Sequence, residues 1–365
     1  MRYKAGITVL LLSSGIPVVN AVFGVSFTAC KSAVVPTGVS HVAEAKLDSI
    51  AERMLLYQRS NGGWPQPGGN AINYNRELTI DLKKKLLADK DKLDTTIDDK
   101  ATTREINYLV DAFGKTQNDA YLTAAQQGIM YLLSAQNAKG GWGQFYPDSS
   151  SYRKQITYND NAMIDVMWVM KRTAEKTNAF AQLDRSLAPK AQQAVDKGVE
   201  CILNSQYTQH GKLTAWCAQH DRNTLQPTNA RAFELASLSG SESVGIIEFL
   251  MSLPNPSDRV KRSVSAAIAW LDSVKLLGIS TKTIADPTQK SGKDVIVVQE
   301  PNAVKWARFY DLETNKPFFC GRDGVKKFSL DQIENERRVG YGWYGTWPAK
   351  LIATDYPAWQ ATWGK

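Results

Sequence analysis

The chain has 365 residues, of which 43% are hydrophobic and 10% aromatic, and its formal net charge is +8. This composition excludes a disordered polymer and is sufficient for one large folded core. The positive charge favours anionic partners. The sequence contains no zinc-finger spacing, arginine-rich arm or aromatic RNA-binding motif, so we do not expect nucleic acid as a ligand.

The first 30 residues resemble a secretory signal, with a basic start that leads into an apolar stretch. Ser13, Gly15 and Pro17 interrupt the stretch, whereas a permanent membrane anchor needs about 20 continuous apolar residues. We therefore predict an exported protein that is periplasmic, attached to the cell surface or secreted. The predicted organisation is a signal peptide at 1–30, a linker at 31–42 and one large domain at 43–365.

Two processing routes remain open for this leader. Residues 27–30, Phe-Thr-Ala-Cys, resemble a lipoprotein cleavage box, whereas residues 19–21, Val-Asn-Ala, suit ordinary signal peptidase. The first route attaches the protein to a membrane through a lipid on Cys30, which is the membrane contact that the sequence predicts.

Three cysteines follow the leader, at Cys201, Cys217 and Cys320. An oxidising compartment permits a disulfide between Cys201 and Cys217, and buried free thiols fit the sequence equally well. The sequence has no Cys-X-X-Cys pair, which disfavours zinc. Its three histidines lack the spacing of metal ligands, and we expect structural or peripheral roles for them.

A motif recurs along the chain and predicts a repeated architecture. A helix-like apolar segment ends in glutamine, and tryptophan follows six positions later, at Gln58 with Trp64 and at Gln136 with Trp142. A degenerate third copy contains Gln206 and the more distant Trp216. Each copy is typical of a helix end, a glycine stop and a turn that presents an aromatic residue.

Apolar residues spaced three and four apart predict helices over much of the chain. Paired helices at this period predict an all-α fold, an α/α toroid with long loops, short β elements and a cleft at one end. A plain helical bundle is the alternative. The lysine-rich run at 83–85 predicts a solvated helix face. The predicted helices cover 43–58, 103–114, 119–135, 160–177, 188–203, 243–250 and 263–276, with one short strand at 296–298.

Polar segments that core packing does not require follow these helices. They are 96–102 (TIDDKAT), 156–163 (ITYNDNAM), 216–221 (WCAQHD), 227–234 (PTNARAFE), 306–310 (WARFY) and 318–324 (FFCGRDG). Together and in this order they resemble the pectate lyases of polysaccharide lyase family 10, from about residue 43 onwards. The resemblance implies an (α/α)3 toroid, a lyase, a polygalacturonate substrate and calcium as cofactor. We expect a monomer.

The resemblance also assigns roles to individual residues. It implies calcium ligands at Asp98 and Asp160 and a catalytic base at Arg231. The residues implied to bind substrate are Arg308, Arg322, Lys154 and Asn229. This chain has Asp99-Lys100 where the family has Asn-Gly, so the charge beside Asp98 differs.

The chemistry explains why these residue types are needed. β-Elimination removes the C5 proton beside a negatively charged carboxylate, so it requires a cation on that carboxylate and a base on the proton. A guanidinium has a pKa above about 12, and Arg231 therefore has two alternatives: binding a carboxylate, or pairing with Glu234 along a helix. Helix capping is the alternative for Asp98 and Asp160.

Two other functions remain open from sequence alone. A hydrolase on the same toroid would use paired carboxylates, Asp98 with either Asp160 or Asp221. A pectin-binding protein without catalysis is the second alternative. Four aromatic residues could form stacking surfaces, although such repeat positions are more often core: Trp64, Trp142, Tyr146 and Tyr158.

Overall fold

The structure, a computed structural model, describes residues 46–364. The predicted signal peptide at 1–30, the linker at 31–42 and the start of the first predicted helix lie outside the described residues and stay predictions. Internal contacts define one compact unit over Ala45–Lys365. Within the described part, no helix combines the length and apolarity that a membrane crossing requires.

Helices in this unit alternate between two layers. The inner layer contains α3, α5 and α7 side by side, and α1, α4, α6 and α8 pack behind it. This alternation confirms the predicted all-α toroid. The helices are α1 Ser49–Tyr57, α2 Ile80–Ala88, α3 Thr103–Thr116, α4 Asp119–Ala135, α5 Ala162–Glu175, α6 Leu187–Ser205, α7 Glu242–Met251, α8 Asp258–Ser273, α9 Asn335–Gly340 and α10 Tyr356–Trp363.

The predicted helix bounds agree with the structure best where caps are strong. The prediction 119–135 coincides with α4, whose first turn is capped by the Asn118 side chain. The prediction 263–276 is wrong at both ends. Ser257 caps α8 by accepting a hydrogen bond from the Val260 N–H, and Leu276 already belongs to a strand. The predicted solvated lysine face at 83–85 lies on α2, where all three lysines are exposed or partly exposed.

Most strands are two residues long and join loops at one end of the helices. The exception is the antiparallel hairpin β6–β7, to which β11 adds a third strand. The sequence predicted only 296–298 here, because both faces of the hairpin are partly exposed and no apolar alternation marks it. The strands are β1 Ile156–Thr157, β2 Thr208–Gln209, β3 Lys212–Leu213, β4 Gln219–His220, β5 Leu238–Ser239, β6 Leu276–Ala285, β7 Lys293–Ala307, β8 Phe309–Tyr310, β9 Phe319–Cys320, β10 Lys326–Lys327 and β11 Tyr344–Gly345.

The repeated glutamines join neighbouring outer helices. In each copy the side-chain Nε2 donates one hydrogen bond to a carbonyl of its own turn and another to a carbonyl of the next outer helix, at 2.9–3.0 Å. We call this glutamine with its turn and tryptophan the Gln–Trp clasp. The glutamines and their acceptors are Gln58 with Gly62 and Ala124, Gln136 with Gly140 and Ala194, and Gln206 with Thr214 and Ser263.

The tryptophan of each clasp is a core residue. Trp64, Trp142 and Trp216 are fully buried, and each indole N–H donates to a carbonyl of the preceding helix at 2.8 Å. The interpretation of Trp64 and Trp142 as stacking surfaces is therefore wrong. Tyr158 is also fully buried, whereas Tyr146 is 37% exposed.

Two glycines allow the outer helices to approach these turns. Gly62 and Gly140 have φ values of 92° and 88°, a conformation that side chains other than glycine rarely adopt. A Cβ atom at either position would also overlap a backbone carbonyl of the next outer helix, at Gln127 or Lys197. The Gly-Gly-Trp sequence is thus a packing requirement.

The cysteines and the buried histidine have structural roles. Cys201, Cys217 and Cys320 are free and buried, so among the described residues the structure has the free-thiol alternative and no Cys201–Cys217 disulfide. His220 accepts a hydrogen bond from the Cys217 N–H at 3.0 Å and donates to the Leu225 carbonyl at 2.8 Å. Burial lowers the pKa of His220 to about 4, so its ring is neutral at pH 7.

Replacing Gln58 with Ala should destabilise the fold, because it removes two buried hydrogen bonds. We expect the free energy of unfolding to fall by about 1–3 kcal/mol, at about 0.5–1.5 kcal/mol for each hydrogen bond. Chemical denaturation measures this change. The matched control is Gln192→Ala on the exposed surface of α6, where the change should stay within about 0.5 kcal/mol. Equal stabilities for the two variants would contradict the role of the clasp.

Candidate active site

The clasps place three equivalent loops in front of the inner helices. The backbone carbonyl of each clasp tryptophan accepts a hydrogen bond from the N–H of Thr96, Thr157 or Ser239, at 2.8–3.1 Å. Three residues beyond each of these positions stands an acid, at Asp99, Asp160 and Glu242. The fold therefore brings equivalent positions of three distant segments to one end of the toroid.

Two of these acids share an unusual backbone conformation. Asp99 and Asp160 have φ values of 44° and 51°, in the left-handed region that aspartate tolerates better than most residues. By position Asp99, and not Asp98, is the counterpart of Asp160, while Asp98 corresponds to Asn159. The two predicted calcium ligands thus occupy different places in the repeat.

One cavity nevertheless brings together three of the predicted site residues, Asp98, Asp160 and Arg231. The cavity is mostly polar, and its wall adds acids, amides and one further arginine. These additional lining residues are Gln66, Gly69, Asp99, Gln144, Phe145, Tyr152, Arg153, Asn159, Gln219 and Glu234.

Neither predicted calcium ligand caps a helix. The helix α3 follows Thr102 and α5 follows Asn161, and neither helix start has a side-chain cap. Asp98 is half-buried, and burial raises the pKa of its carboxyl, with Asp99 and Asp160 adding to the shift and a hydrogen bond from Gln144 opposing it. The capping alternative is therefore wrong, and the Asp98 carboxylate is a candidate ligand group.

Arg308 lies beside Asp160 and is held by acids of the protein. Its Nη2 donates to Asp160 Oδ1 at 3.0 Å and also contacts the buried Glu242 carboxylate. Burial alone would lower the pKa of the Arg308 guanidinium. Glu242, Tyr341 and Asp160 outweigh burial and raise this pKa above its ordinary value. Arg308 is predicted to bind substrate, and in this structure it binds two carboxylates of the chain itself.

Arg231 is paired with Glu234 in a turn. Its Nε donates to Glu234 Oε2 at 2.8 Å and its Nη2 to Oε1, so the contact has two points. The pairing alternative is right about the partner and wrong about the helix, because residues 231–233 form a turn. The hydrogen bonds that Arg231 donates to Glu234 raise the pKa of Arg231, against the effect of its partial burial. Arg231 is therefore protonated in this arrangement.

None of the four predicted substrate-binding residues is among those that line the described cavity. Arg308 lines a separate cavity together with Asp160 and Glu242. Arg322 is exposed and pairs with Glu336 at 2.7 Å. Lys154 is exposed and lines a neighbouring depression with Arg222. The side chain of Asn229 accepts a hydrogen bond from the Ala236 N–H at 2.7 Å, within its own loop.

Several cavity residues were missed by sequence reasoning although the repeat contained a signal for them. Gln66 and Gln144 each stand two positions after a clasp tryptophan, and both line the cavity. Glu242 is the third-copy counterpart of Asp160. Arg153, beside Lys154, contributes the cation that was assigned to the lysine; its guanidinium lies 4.6 Å from the Phe145 ring centre.

The donor atoms of the cavity suit calcium better than a softer metal. Asp98, Asp160 and Asn159 offer carboxylate and amide oxygens, and Oε1 of Gln144 is buried without a hydrogen-bond partner. Calcium takes six to eight oxygen ligands. Among residues 46–364, no three His, Cys, Asp or Glu side chains converge closely enough to hold a metal unaided. A calcium ion here would need further oxygens from substrate or water.

Comparisons with known proteins show the family of this chain. The family model described as pectic acid lyase matches residues 58–352. A family 10 polysaccharide lyase from Cellvibrio cellulosa is 33% identical, with a TM-score of 0.74 over 87% of this chain and 92% of that chain. A mutant of the Cellvibrio lyase, solved in complex with trigalacturonic acid, matches with the same identity and TM-score and is covered over 93% of its chain.

The comparison with curated proteins finds no match. The family model spans most of the chain, and the structural match covers 87% of it. Their agreement with the six ordered motifs shows that this chain belongs to the pectate lyases of polysaccharide lyase family 10 and is an enzyme of the lyase class.

Proposed function

We propose that this enzyme cleaves α-1,4-linked polygalacturonate by calcium-assisted β-elimination and releases unsaturated oligogalacturonides. The observation that carries the proposal is the single cavity in which Asp98 and Asp160 lie together with Arg231. The trigalacturonic acid complex of the Cellvibrio relative supports the substrate class. The net charge of +8 suits an acidic polymer.

The residues divide the work between holding the cation and handling the substrate. Asp98, Asp160 and the unpaired Gln144 oxygen would hold calcium. When bound, calcium supplies positive charge that neutralises the substrate carboxylate and favours loss of the neighbouring C5 proton. Arg308, held by Glu242, orients the Asp160 carboxylate through its 3.0 Å hydrogen bond.

Arg231 is the proposed base, and its present partner determines what that role requires. The C5 proton moves to a neutral Arg231, and its electron pair forms the C4–C5 double bond. The C4–O bond to the neighbouring sugar breaks, and the departing oxygen takes a proton from solvent. Glu234 keeps Arg231 protonated, so the base must first separate from Glu234 and lose a proton. To bind a substrate carboxylate instead, Arg231 has to separate from Glu234 but keeps its proton.

Export completes the proposal. Polygalacturonate is a polymer that an enzyme meets outside the cell, and the leader at 1–30 has the features of a secretory signal. We propose that the enzyme acts as an exported monomer, with lipid attachment at Cys30 or ordinary cleavage as the two routes.

The hydrolase alternative receives no support from its second proposed partner. Asp221 is not among the residues that line the described cavity. Its carboxylate instead accepts hydrogen bonds from the N–H groups of Asn223 and Thr224 in its own turn, and these bonds lower the pKa of Asp221.

Incubation of the enzyme with polygalacturonate and calcium should raise the ultraviolet absorbance of the solution. Elimination creates a double bond conjugated with the uronate carboxylate, whereas hydrolysis gives saturated products. Excess chelator should stop the rise, and added calcium should restore it. Saturated fragments would indicate a hydrolase, and retention on pectate without shortening of the polymer would indicate a binding protein.

Asp98→Asn and Asp160→Asn should each weaken calcium binding, because an amide offers one oxygen and no charge. We expect the calcium concentration for half-maximal activity to rise at least tenfold, which corresponds to about 1.4 kcal/mol. Titration calorimetry should show the same loss of affinity. The control Asp184→Asn changes an exposed turn outside the cavity and should leave both values unchanged. Wild-type calcium responses in both site variants would rule out the proposed ligands.

Arg231→Ala should lower kcat by about 10²–10⁴-fold if Arg231 is the base, with little change in KM. A carboxylate-binding role predicts a large rise in KM instead. In the same assay Glu234→Gln separates the two roles further. Loss of the Glu234 charge lowers the pKa of Arg231. If Arg231 is the base, the rate rises with pH as Arg231 loses its proton, and this rise should occur at lower pH in Glu234→Gln. A profile that does not move would leave Arg231 as a substrate-binding cation.

A further inference from the structure

Arg337, on α9, is a buried guanidinium that pairs with no acidic side chain of residues 46–364. Its residue is only 6% exposed, and its Nε and Nη2 atoms are buried without a hydrogen-bond partner. Removing a charge from water is costly unless hydrogen bonds or an opposite charge compensate it. Burial lowers the pKa of Arg337; Tyr341 and Glu336 oppose this shift, and the charges of Arg322 and Arg231 add to it.

The other arginines around it are paired. Arg231 pairs with Glu234, Arg308 with Asp160 and Glu242, and Arg322 with Glu336. Arg338, the next residue in the chain, pairs with Asp294. Acidic side chains are therefore available to the neighbouring arginines, and a lack of acids in this region does not explain why Arg337 is unpaired.

The two unpartnered atoms form the edge of the guanidinium that binds carboxylates elsewhere in this protein. Arg231, Arg322 and Arg338 each use Nε and Nη2 together to grip the two oxygens of one carboxylate. Arg59 does the same with Asp94. Arg337 has the same edge without an acceptor, and a planar two-oxygen acid is the group that fits it.

Aromatic rings hold the guanidinium in place. Its central carbon lies 3.9 Å from the ring centre of Phe233, 4.6 Å from Tyr341 and 5.8 Å from Trp343. Such faces attract a cation but offer no hydrogen-bond acceptor. The rings therefore orient Arg337 and leave its Nε and Nη2 atoms without a hydrogen-bond acceptor.

The same rings connect Arg337 to the substrate-facing arginines. Phe233 also contacts the guanidinium groups of Arg231 and Arg322, each at 4.8 Å. Both of those side chains are about half exposed, at 49% and 57%. Glu336 is also exposed, at 61%, whereas Glu234 is buried, at 5%. The exposed Arg322–Glu336 pair is weak and exchanges readily, so an incoming acid can displace Glu336 from Arg322.

We propose that Arg337 is a substrate-binding residue whose missing partner is a galacturonate carboxylate that enters between Arg231 and Arg322. The proposal rests on the proposed function, because polygalacturonate supplies carboxylates at a regular spacing. Arg231 belongs to the cavity wall, so the carboxylate on Arg337 belongs to a sugar next to that cavity.

The test compares initial-rate kinetics on polygalacturonate with the melting temperature of the substrate-free protein. Arg337→Met keeps the aliphatic length and removes the charge, and it should raise KM at least tenfold with a smaller change in kcat. Arg337→Lys keeps the charge but loses the two-point edge, and it should raise KM to a similar extent. Neither variant should lower the melting temperature, because no acid of the protein loses its partner.

Arg338→Met is the matched control from the adjacent position. It leaves Asp294 without its partner, so it should lower the melting temperature and leave KM unchanged. The inference is overturned if Arg337→Met has a KM within twofold of wild type, or if its KM rises together with a fall in melting temperature like that of Arg338→Met. If the wild type leaves polygalacturonate intact, the proposed function fails and the inference fails with it.

Discussion

The bridging amide of the Gln–Trp clasp is the interaction on which the rest of the structure depends. One side chain satisfies a carbonyl of its own turn and a carbonyl of the next outer helix, in a buried setting where an unsatisfied carbonyl is costly. The amide therefore sets both the end of one helix and the position of the next. Three repetitions space the helical pairs around the toroid without a continuous sheet.

The same clasp connects helix packing with chemistry. The tryptophan side chain enters the core while its backbone carbonyl holds the loop that carries Asp99, Asp160 or Glu242. The same loop arrangement thus occurs three times at one end of the toroid, and the acids that the loops carry have different surroundings. The first two copies supply acids that face the cavity, whereas the third supplies a buried acid that holds Arg308.

The limits of sequence reasoning follow from this plan. Features encoded within one segment, such as the α4 bounds and the first two clasps, could be predicted because caps, glycines and apolar spacing are local. The β6–β7 hairpin could not, since its exposed faces carry no alternating pattern. Arg337 lies in a short polar helix without periodicity, and its contacts with Phe233 arise only when distant segments pack together.

Under the proposed function, the paired arginines make the substrate-free site resemble its own substrate complex. Glu234 and Glu336 occupy guanidinium groups in the way that uronate carboxylates would. Binding then becomes an exchange of one acid for another, and each exchange changes little in net electrostatic energy. A single galacturonate carboxylate therefore binds with almost no net gain in free energy. Selectivity for a polymer follows, because only a chain that exchanges at several positions at once, with its units already linked, accumulates a useful affinity.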